Sequence, residues 1–308
     1  MTDHAHTPDT SRRLLLVHAH PDDESIGTGA TMARYVAQGA AVTLVTCTLG
    51  EEGEVLADDL AHLGPDADDR LGEHRITELA AAMAALGVTD HLRLGGDHAF
   101  RDSGMAYDEQ RRAVARDSSR HDSLWRTDLL RAANELLPVI RDRRPQVVVS
   151  YDQNGGYGHP DHVMAHRVAT YATDLAGVRS YRPDLGEAWQ VQRLLWTAIP
   201  AGRMRDMIRR TRESGDTEAW GGFDPDGDEL PPMSTPDGLI DCIVDGAQFY
   251  DRKIAALRAH RSQIAADSWF LNVPGEYAAA FSSEAFRLAG GTPFPAGAVA
   301  DDIFAGLA

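Results

Sequence analysis

Leu14-Leu15-Leu16-Val17-His18-Ala19-His20-Pro21-Asp22-Asp23-Glu24 is the stretch that decides the fold. An apolar run of strand length ends abruptly in an imidazole, a proline and three acids. Such a run, bounded by a breaker, reads as a buried strand. A helical pattern follows from Thr28 to Gln38, so the polar cluster occupies a β-to-α turn. In open α/β sheets these turns line the carboxyl edge, where ligands bind. Packing has no use for three carboxylates crowded beside a histidine. Like charges repel unless something positive lies between them, and a divalent metal is the simplest candidate.

The other half of the site lies far downstream. Gln146–Tyr151 is another apolar strand, followed by Asp152-Gln153-Asn154-Gly155-Gly156-Tyr157-Gly158-His159-Pro160-Asp161-His162. Again a buried strand runs into a polar, glycine-rich turn, and Pro160 opens a helix that runs to Leu175. Two strand ends with the same chemistry, on one edge of one sheet, can converge on one ion. His20 and Asp23 are three apart, and His162 comes from the other strand end. Two histidines and a carboxylate with an open fourth position form a common catalytic zinc arrangement. Pro21 pushes His20 toward extended backbone and fixes the exit from the strand. Asp22 and Asp23 are neighbours, so their side chains diverge; one can ligate while the other faces a reacting water. His159, His162 and His166 share helical spacing, which keeps a three-histidine site open. Pro160 places His159 outside the regular turn, however, and His166 and His18 read as structural.

His20-Pro21-Asp22-Asp23-Glu24 with the later His159-Pro160-Asp161-His162 resembles the zinc-dependent N-deacetylases of the LmbE/PIG-L type. Cys47–Val55, Arg101–Met105 and Asn154–His162 are similar, more narrowly, to the mycothiol-biosynthetic branch of that family. The likeness is strong over about residues 12–175, weaker beyond, and returns at Gly238–Gln263. It implies hydrolysis of the acetamide of an N-acetylglucosaminyl-inositol to the free amine plus acetate. It implies His20, Asp23 and His162 as ligands of one Zn2+ per subunit, with Fe2+ or another divalent ion as a substitute. Asp22 is then the general base. His159 serves as oxyanion stabiliser or general acid, and Tyr157 as a mobile donor on the glycine-rich loop. Asp161 holds His159 protonated or orients a ligand, and Glu24 supports a ligand or the turn. Glu54, Arg75 and Asp102 match positions the family uses around sugar and inositol hydroxyls. Neighbouring activities are cleavage of mycothiol S-conjugates and deacetylation of other N-acetyl sugars.

Outward from these motifs the chain alternates. Strands are expected at Arg13–Ala19, Ala41–Cys47, His91–Leu94 and Gln146–Tyr151, and a helix at Leu71–Leu86. A further helix, capped by Asp122 or Ser123, runs to Arg143 with a kink at Pro138. Two long polar loops, 50–69 and 95–121, interrupt the pattern, and loops of such length are usually functional. The alternation predicts an α/β fold: a Rossmann-like, mostly parallel sheet flanked by helices over residues 12–180, after a disordered tail at 1–11. Residues 181–308 should form a smaller C-terminal α/β part that closes the cleft. There Arg193–Ile199 and Leu239–Val244 read as strands, Met204–Arg212 and Gly246–Ile264 as helices, and 214–236 as a loop.

Composition bounds the partners. The 308 residues carry a formal net charge of −17, which argues against nucleic acid or an anionic membrane. No stretch approaches the ~20 apolar residues of a membrane span, and no basic n-region with an apolar h-region opens the chain. A cytoplasmic protein acting on a small molecule is expected, with homo-oligomers permitted. One lysine, Lys253, among otherwise arginine cations suggests a GC-rich, actinobacterial coding bias. Cys47 and Cys242 lie far apart in apolar runs and read as buried thiols. A nucleotide-binding module would need Gly-x-Gly-x-x-Gly after the first strand. Here that turn carries acids instead, which would repel a pyrophosphate. A non-catalytic metal-binding protein would need neither an open ligand position nor long loops.

Overall fold

Period-two alternation within Leu14–Val17 sorts the core into two faces. In the computed structural model, which describes residues 11–109, 112–213, 215 and 219–307, all four of these side chains are buried. Leu14 and Leu16 point to one face with Val42, Leu44, Val147 and Val149; Leu15 and Val17 point to the other with Val45 and Val148. A strand apolar on both faces belongs in a sheet covered on both sides.

Ten strands are present among the described residues: β1 (Arg13–His18), β2 (Ala41–Thr46), β3 (Asp90–Arg93), β4 (Met105–Tyr107), β5 (Ala113–Ala115), β6 (Val147–Ser150), β7 (Arg193–Pro200), β8 (Ser234–Thr235), β9 (Cys242–Asp245) and β10 (Ser283–Gly291). The helices are α1 (Asp23–Gly27), α2 (Gly29–Ala37), α3 (Leu71–Leu86), α4 (Leu129–Arg143), α5 (Gly155–Gly158), α6 (Pro160–Ala176), α7 (Ala201–Glu213), α8 (Tyr250–Ala259) and α9 (Ala278–Ser282). The main sheet has the order β3-β2-β1-β6-β7-β10-β9, with β8 beside β7. Strands β3, β2, β1, β6 and β7 are parallel, and β10 runs antiparallel to both β7 and β9. Helices α2, α3 and α8 cover one face; α4 and α6 cover the other. The mostly parallel, helix-flanked α/β architecture is the expected one.

Strand order reverses between β1 and β6, which lie side by side with Leu14 opposite Val147 and Leu16 opposite Val149. The carboxyl ends of the two strands at such a switch point open a crevice. His20–Glu24 leaves one of them and Asp152–His162 leaves the other. The topology therefore brings the two motifs together before any side chain is considered.

Several expected boundaries move. The helix after the first strand begins at Asp23, in the short α1, so Asp23 and Glu24 belong to its first turn. Helix α4 is capped by Asp128, whose carboxylate accepts from Arg131 N at 2.9 Å, rather than by Asp122 or Ser123. Those two residues precede a 3-10 turn at Leu124–Arg126. The loops are less bare than their composition suggests. One holds the 3-10 helix Asp58–Leu63, packed through Leu60 and Leu63; the other holds the β4–β5 hairpin. Residues 193–200, 242–245 and 283–291 extend the same sheet. The disordered tail expected at 1–11 lies outside the described residues except for Ser11.

Candidate active site and metal centre

Asp22 is the residue on which the first turn pivots. Its φ of 124° is a conformation a side chain with a Cβ rarely adopts, and such positions cluster at functional sites. The turn sends neighbouring carboxylates in different directions. Asp22 Oδ2 accepts from Arg75 Nη2 at 2.9 Å. Asp23 Oδ2 instead lies 3.3 Å from His20 Nδ1 and 3.3 Å from His162 Nε2, while accepting from His20 N at 2.9 Å.

The tautomer of His162 follows from its neighbours. Nδ1 lies 3.2 Å from the Gly155 carbonyl, which can only accept, so Nδ1 carries the proton. Nε2 is left with a lone pair, buried and without a hydrogen bond, aimed at Asp23. Gly155 (φ 62°) makes this approach feasible, because a Cβ there would come within 2.6 Å of His162 Cβ. Tyr151 stacks on the His162 ring, with centroids 4.3 Å apart. Donors on a tetrahedral zinc, each ~2.0–2.1 Å from the metal, lie about 3.3 Å from one another. The Asp23–His20 and Asp23–His162 separations match that edge, two of the three that these ligands would need, and Asp23 is in neither of the groups whose donors all converge. Ring nitrogens of His20, His159 and His162 also fall within 4.8 Å of one another, as do donors of His20, Asp102, His159 and Asp161. The residues present fit a divalent cation.

His20 is gripped on both sides. While Nδ1 faces Asp23, Nε2 lies 3.3 Å from Asp161 and 3.6 Å from Asp102. Burial works against a charged ring, but the three carboxylates hold His20 well above the ordinary histidine range. Burial likewise opposes ionisation of Asp23, and His162 and His20 nonetheless keep it well below the usual carboxylate range. Burial pushes Asp22 up to about 6, with Arg75 pulling the other way and Asp23 adding to the rise.

His159 caps α6: its Nδ1 accepts from Asp161 N at 3.1 Å. The neutral ring therefore carries its proton on Nε2. Burial, reinforced by His20 and His162, pushes His159 down to about 2. Two tasks were open for Asp161, and the geometry separates them. Its carboxylate faces His20 and accepts from Ser103 N and Ser103 Oγ; only its backbone N–H meets His159. It is thus placed to orient His20, not to keep His159 protonated.

The three expected hydroxyl contacts fall in different places. Arg75 is only 2% exposed; its Nη1 donates to the Gly50 carbonyl and its Nη2 to the Pro21 carbonyl and Asp22, while Nε is buried without a partner, so the side chain stands behind Asp22. Asp102 is buried beside His20 and accepts from Gly104 N and Glu52 N. Glu54 is exposed, and its backbone carbonyl receives Gln263 Nε2. Tyr157 is 37% exposed, its ring 5.1 Å from that of His162, and burial of its hydroxyl raises its pKa. His166 turns to the Tyr151 carbonyl and Trp196, and His18 to Tyr151 and Thr28. Cys47 and Cys242 are free, buried thiols, as expected.

His260 was not legible in the sequence. Fully buried, it places Nε2 2.8 Å from Glu24 Oε1. Ser103 was missed too. Both lie in stretches that resemble the family, Gly238–Gln263 and Arg101–Met105, but their partners, 236 and 58 positions away, gave no local sign of a role.

Residues 15–173 match the model of the family described as PIG-L, GlcNAc-PI de-N-acetylase. A Kribbella flavida protein named 1D-myo-inositol 2-acetamido-2-deoxy-alpha-D-glucopyranoside deacetylase is 57% identical over 298 residues, covering 96% of this chain and 98% of its own. A Nocardioides protein of the same name is 54% identical, covering 96% and 99%. Among solved structures, N,N'-diacetylchitobiose deacetylase from Pyrococcus horikoshii superposes with a TM-score of 0.57 at 19% identity, covering 90% of this chain and 83% of that one. That last likeness speaks to the fold.

Proposed function

This chain belongs to the PIG-L family of de-N-acetylases, and from that premise we propose that it hydrolyses the acetamide of 1-O-(2-acetamido-2-deoxy-alpha-D-glucopyranosyl)-1D-myo-inositol, releasing acetate and the free amine, a step of mycothiol biosynthesis. The observation that carries this reading is the divergence of Asp22 and Asp23 beside a His162 whose lone pair is free. In this reading one carboxylate ligates and the next serves as the base. The substrate assignment leans on the two relatives that match over nearly their whole length.

His20 through Nδ1, Asp23 through Oδ2 and His162 through Nε2 would hold a single Zn2+, with Asp161 fixing the His20 ring from its other nitrogen. Bound there, the metal supplies Lewis-acid polarisation of the acetyl carbonyl and lowers the pKa of water. Asp22 takes the proton of the attacking water. His159 presents Nε2–H to the oxygen on which negative charge develops. As the C–N bond breaks, protonated Asp22 returns its proton to the leaving nitrogen, a transfer for which a pKa of about 6 is suited. Arg75 keeps Asp22 oriented. Tyr157 and Glu54 stand nearer the open side, where sugar and inositol hydroxyls would lie. In this reading the C-terminal part supplies one wall of the cleft, an assignment supported by His260 facing Glu24 and Ser25 beside the Asp22 turn.

Acetate release by the zinc-loaded protein tests the substrate. A site built to hydrogen-bond hydroxyls discriminates strongly against ligands that lack them. The inositol glycoside should therefore be deacetylated with a kcat/KM at least about tenfold above that of free N-acetylglucosamine. Equal values would remove the inositol assignment and leave a broad N-acetyl-sugar deacetylase.

A further inference from the structure

We infer that His260 is a positioning residue for catalysis, acting through Glu24 to hold the Asp22 peptide in its unusual conformation. The inference deepens the reading above and rests on Asp22 being the base. Asp22 N donates to Glu24 Oε2 at 2.9 Å. On the other oxygen, Glu24 Oε1 receives Ser25 Oγ at 2.6 Å and faces His260 Nε2 at 2.8 Å. Glu24 and His260 are both 0% exposed. A buried carboxylate keeps one orientation only while its acceptor sites are filled. Without His260, Glu24 Oε1 would retain Ser25 alone, and the carboxylate could turn away from Asp22 N. At φ 124° the Asp22 peptide has no helical or strand partner to replace that bond.

His260 is itself anchored. It follows α8, and its carbonyl accepts from Gln263 N and Ile264 N. Ser262 donates through N and Oγ to the Glu78 carboxylate of α3, the helix that also carries Arg75. Leu56 N binds the Ser262 carbonyl, and Gln263 Nε2 binds that of Glu54. The 260–263 turn is thus fastened to α3 and to the loop after β2. From that frame it reaches the base through one carboxylate. Arg75 holds the Asp22 side chain while His260, through Glu24, holds its backbone.

The test compares His260→Leu with His260→Gln in zinc-reconstituted protein assayed on the inositol glycoside. His260→Leu should retain stoichiometric zinc and lower kcat about 10–100-fold, with KM changed less than about threefold. His260→Gln keeps a donor for Glu24 and should recover most of kcat. A merely structural role would lower zinc content and folded fraction together and give no such rescue. Should His260→Leu fail to fold, the Glu24→Gln/His260→Leu pair removes the buried charge along with its partner, and should show the same kcat loss. Wild-type kcat in a folded, zinc-loaded variant lacking His260, or equal loss in His260→Gln and His260→Leu, overturns the inference. Asp22→Asn run alongside separates the layers. Inactive Asp22→Asn with normal His260→Leu removes only the positioning role; fully active Asp22→Asn removes the base.

Discussion

Asp22 and Asp23 share residue type, neighbourhood and burial, yet their ionisation differs because their partners differ. Asp23 has two imidazoles at 3.3 Å, whereas Asp22 has one guanidinium and a like charge next door. Burial lifts Asp22 to about 6, and a base must be ionised to act. Activity should therefore be present above that value and fall as the pH drops through it. The acid limb of kcat/KM should approach a tenfold loss per pH unit below about 6. Stopped assays from pH 4.5 to 8 on the zinc-loaded protein check this; a flat profile down to pH 4.5 would take the base role from Asp22. At this scale the sequence was informative wherever chemistry is local. His20, Asp22 and Asp23 stand within four residues, and the Pro-Asp-His after His159 repeats the theme. It was silent on the contacts of Arg75, which the resemblance set among the sugar and inositol hydroxyls. In the fold Glu78 turns to Ser262 and His74, and Arg75 turns inward to Asp22.

At the scale of elements, helix α2 shows how the outer strands support the site. Its first turn offers Ala30 N and Thr31 N to the Glu284 carboxylate of β10, at 3.0 and 2.7 Å. Lys253 of α8 closes the arrangement, with Nζ 2.7 Å from Glu284, and both side chains are buried. An anion at a helix N-terminus is favourable, and a buried pair broken on one side leaves an uncompensated charge. Lys253→Met should cost about 3–5 kcal/mol of unfolding free energy in urea titration. The Lys253→Met/Glu284→Gln pair should cost less than Lys253→Met alone; if the two losses simply add, the residues are not coupled. The inner elements were legible because β1, β2 and β6 are mostly apolar and buried, and the helices between them keep their period. Strand β10 was not, since it ends in Gly290-Gly291 and finds its partners 90 or so residues upstream in β7. Nor was the β4–β5 hairpin, three residues a side within a polar loop.

For the molecule as a whole, strand order does the assembling. The reversal between β1 and β6 puts two separate sequence motifs on one rim, and β7, β10 and β9 carry the sheet on into the C-terminal residues. Arg193, buried in β7, fastens the end of the chain by donating to the carbonyls of Thr292, Pro293, Ile303 and Ala305. Among the described residues no helix is long and apolar enough to cross a membrane. The sequence foretold the parallel half of this plan because β-α alternation is local. In the antiparallel half β9 was legible as the strand expected at Leu239–Val244, but β10 and its pairings across long separations were not. The claim that ties fold to function is that neighbouring aspartates divide ligation from catalysis at this rim. Zinc content and kcat, measured together on Asp22→Asn and His162→Ala, test it most directly. Asp22→Asn should keep one zinc per chain and lose about 10²–10⁴-fold in kcat, while His162→Ala should lose zinc and activity together. Stoichiometric zinc in His162→Ala, or wild-type turnover in zinc-loaded Asp22→Asn, would contradict it.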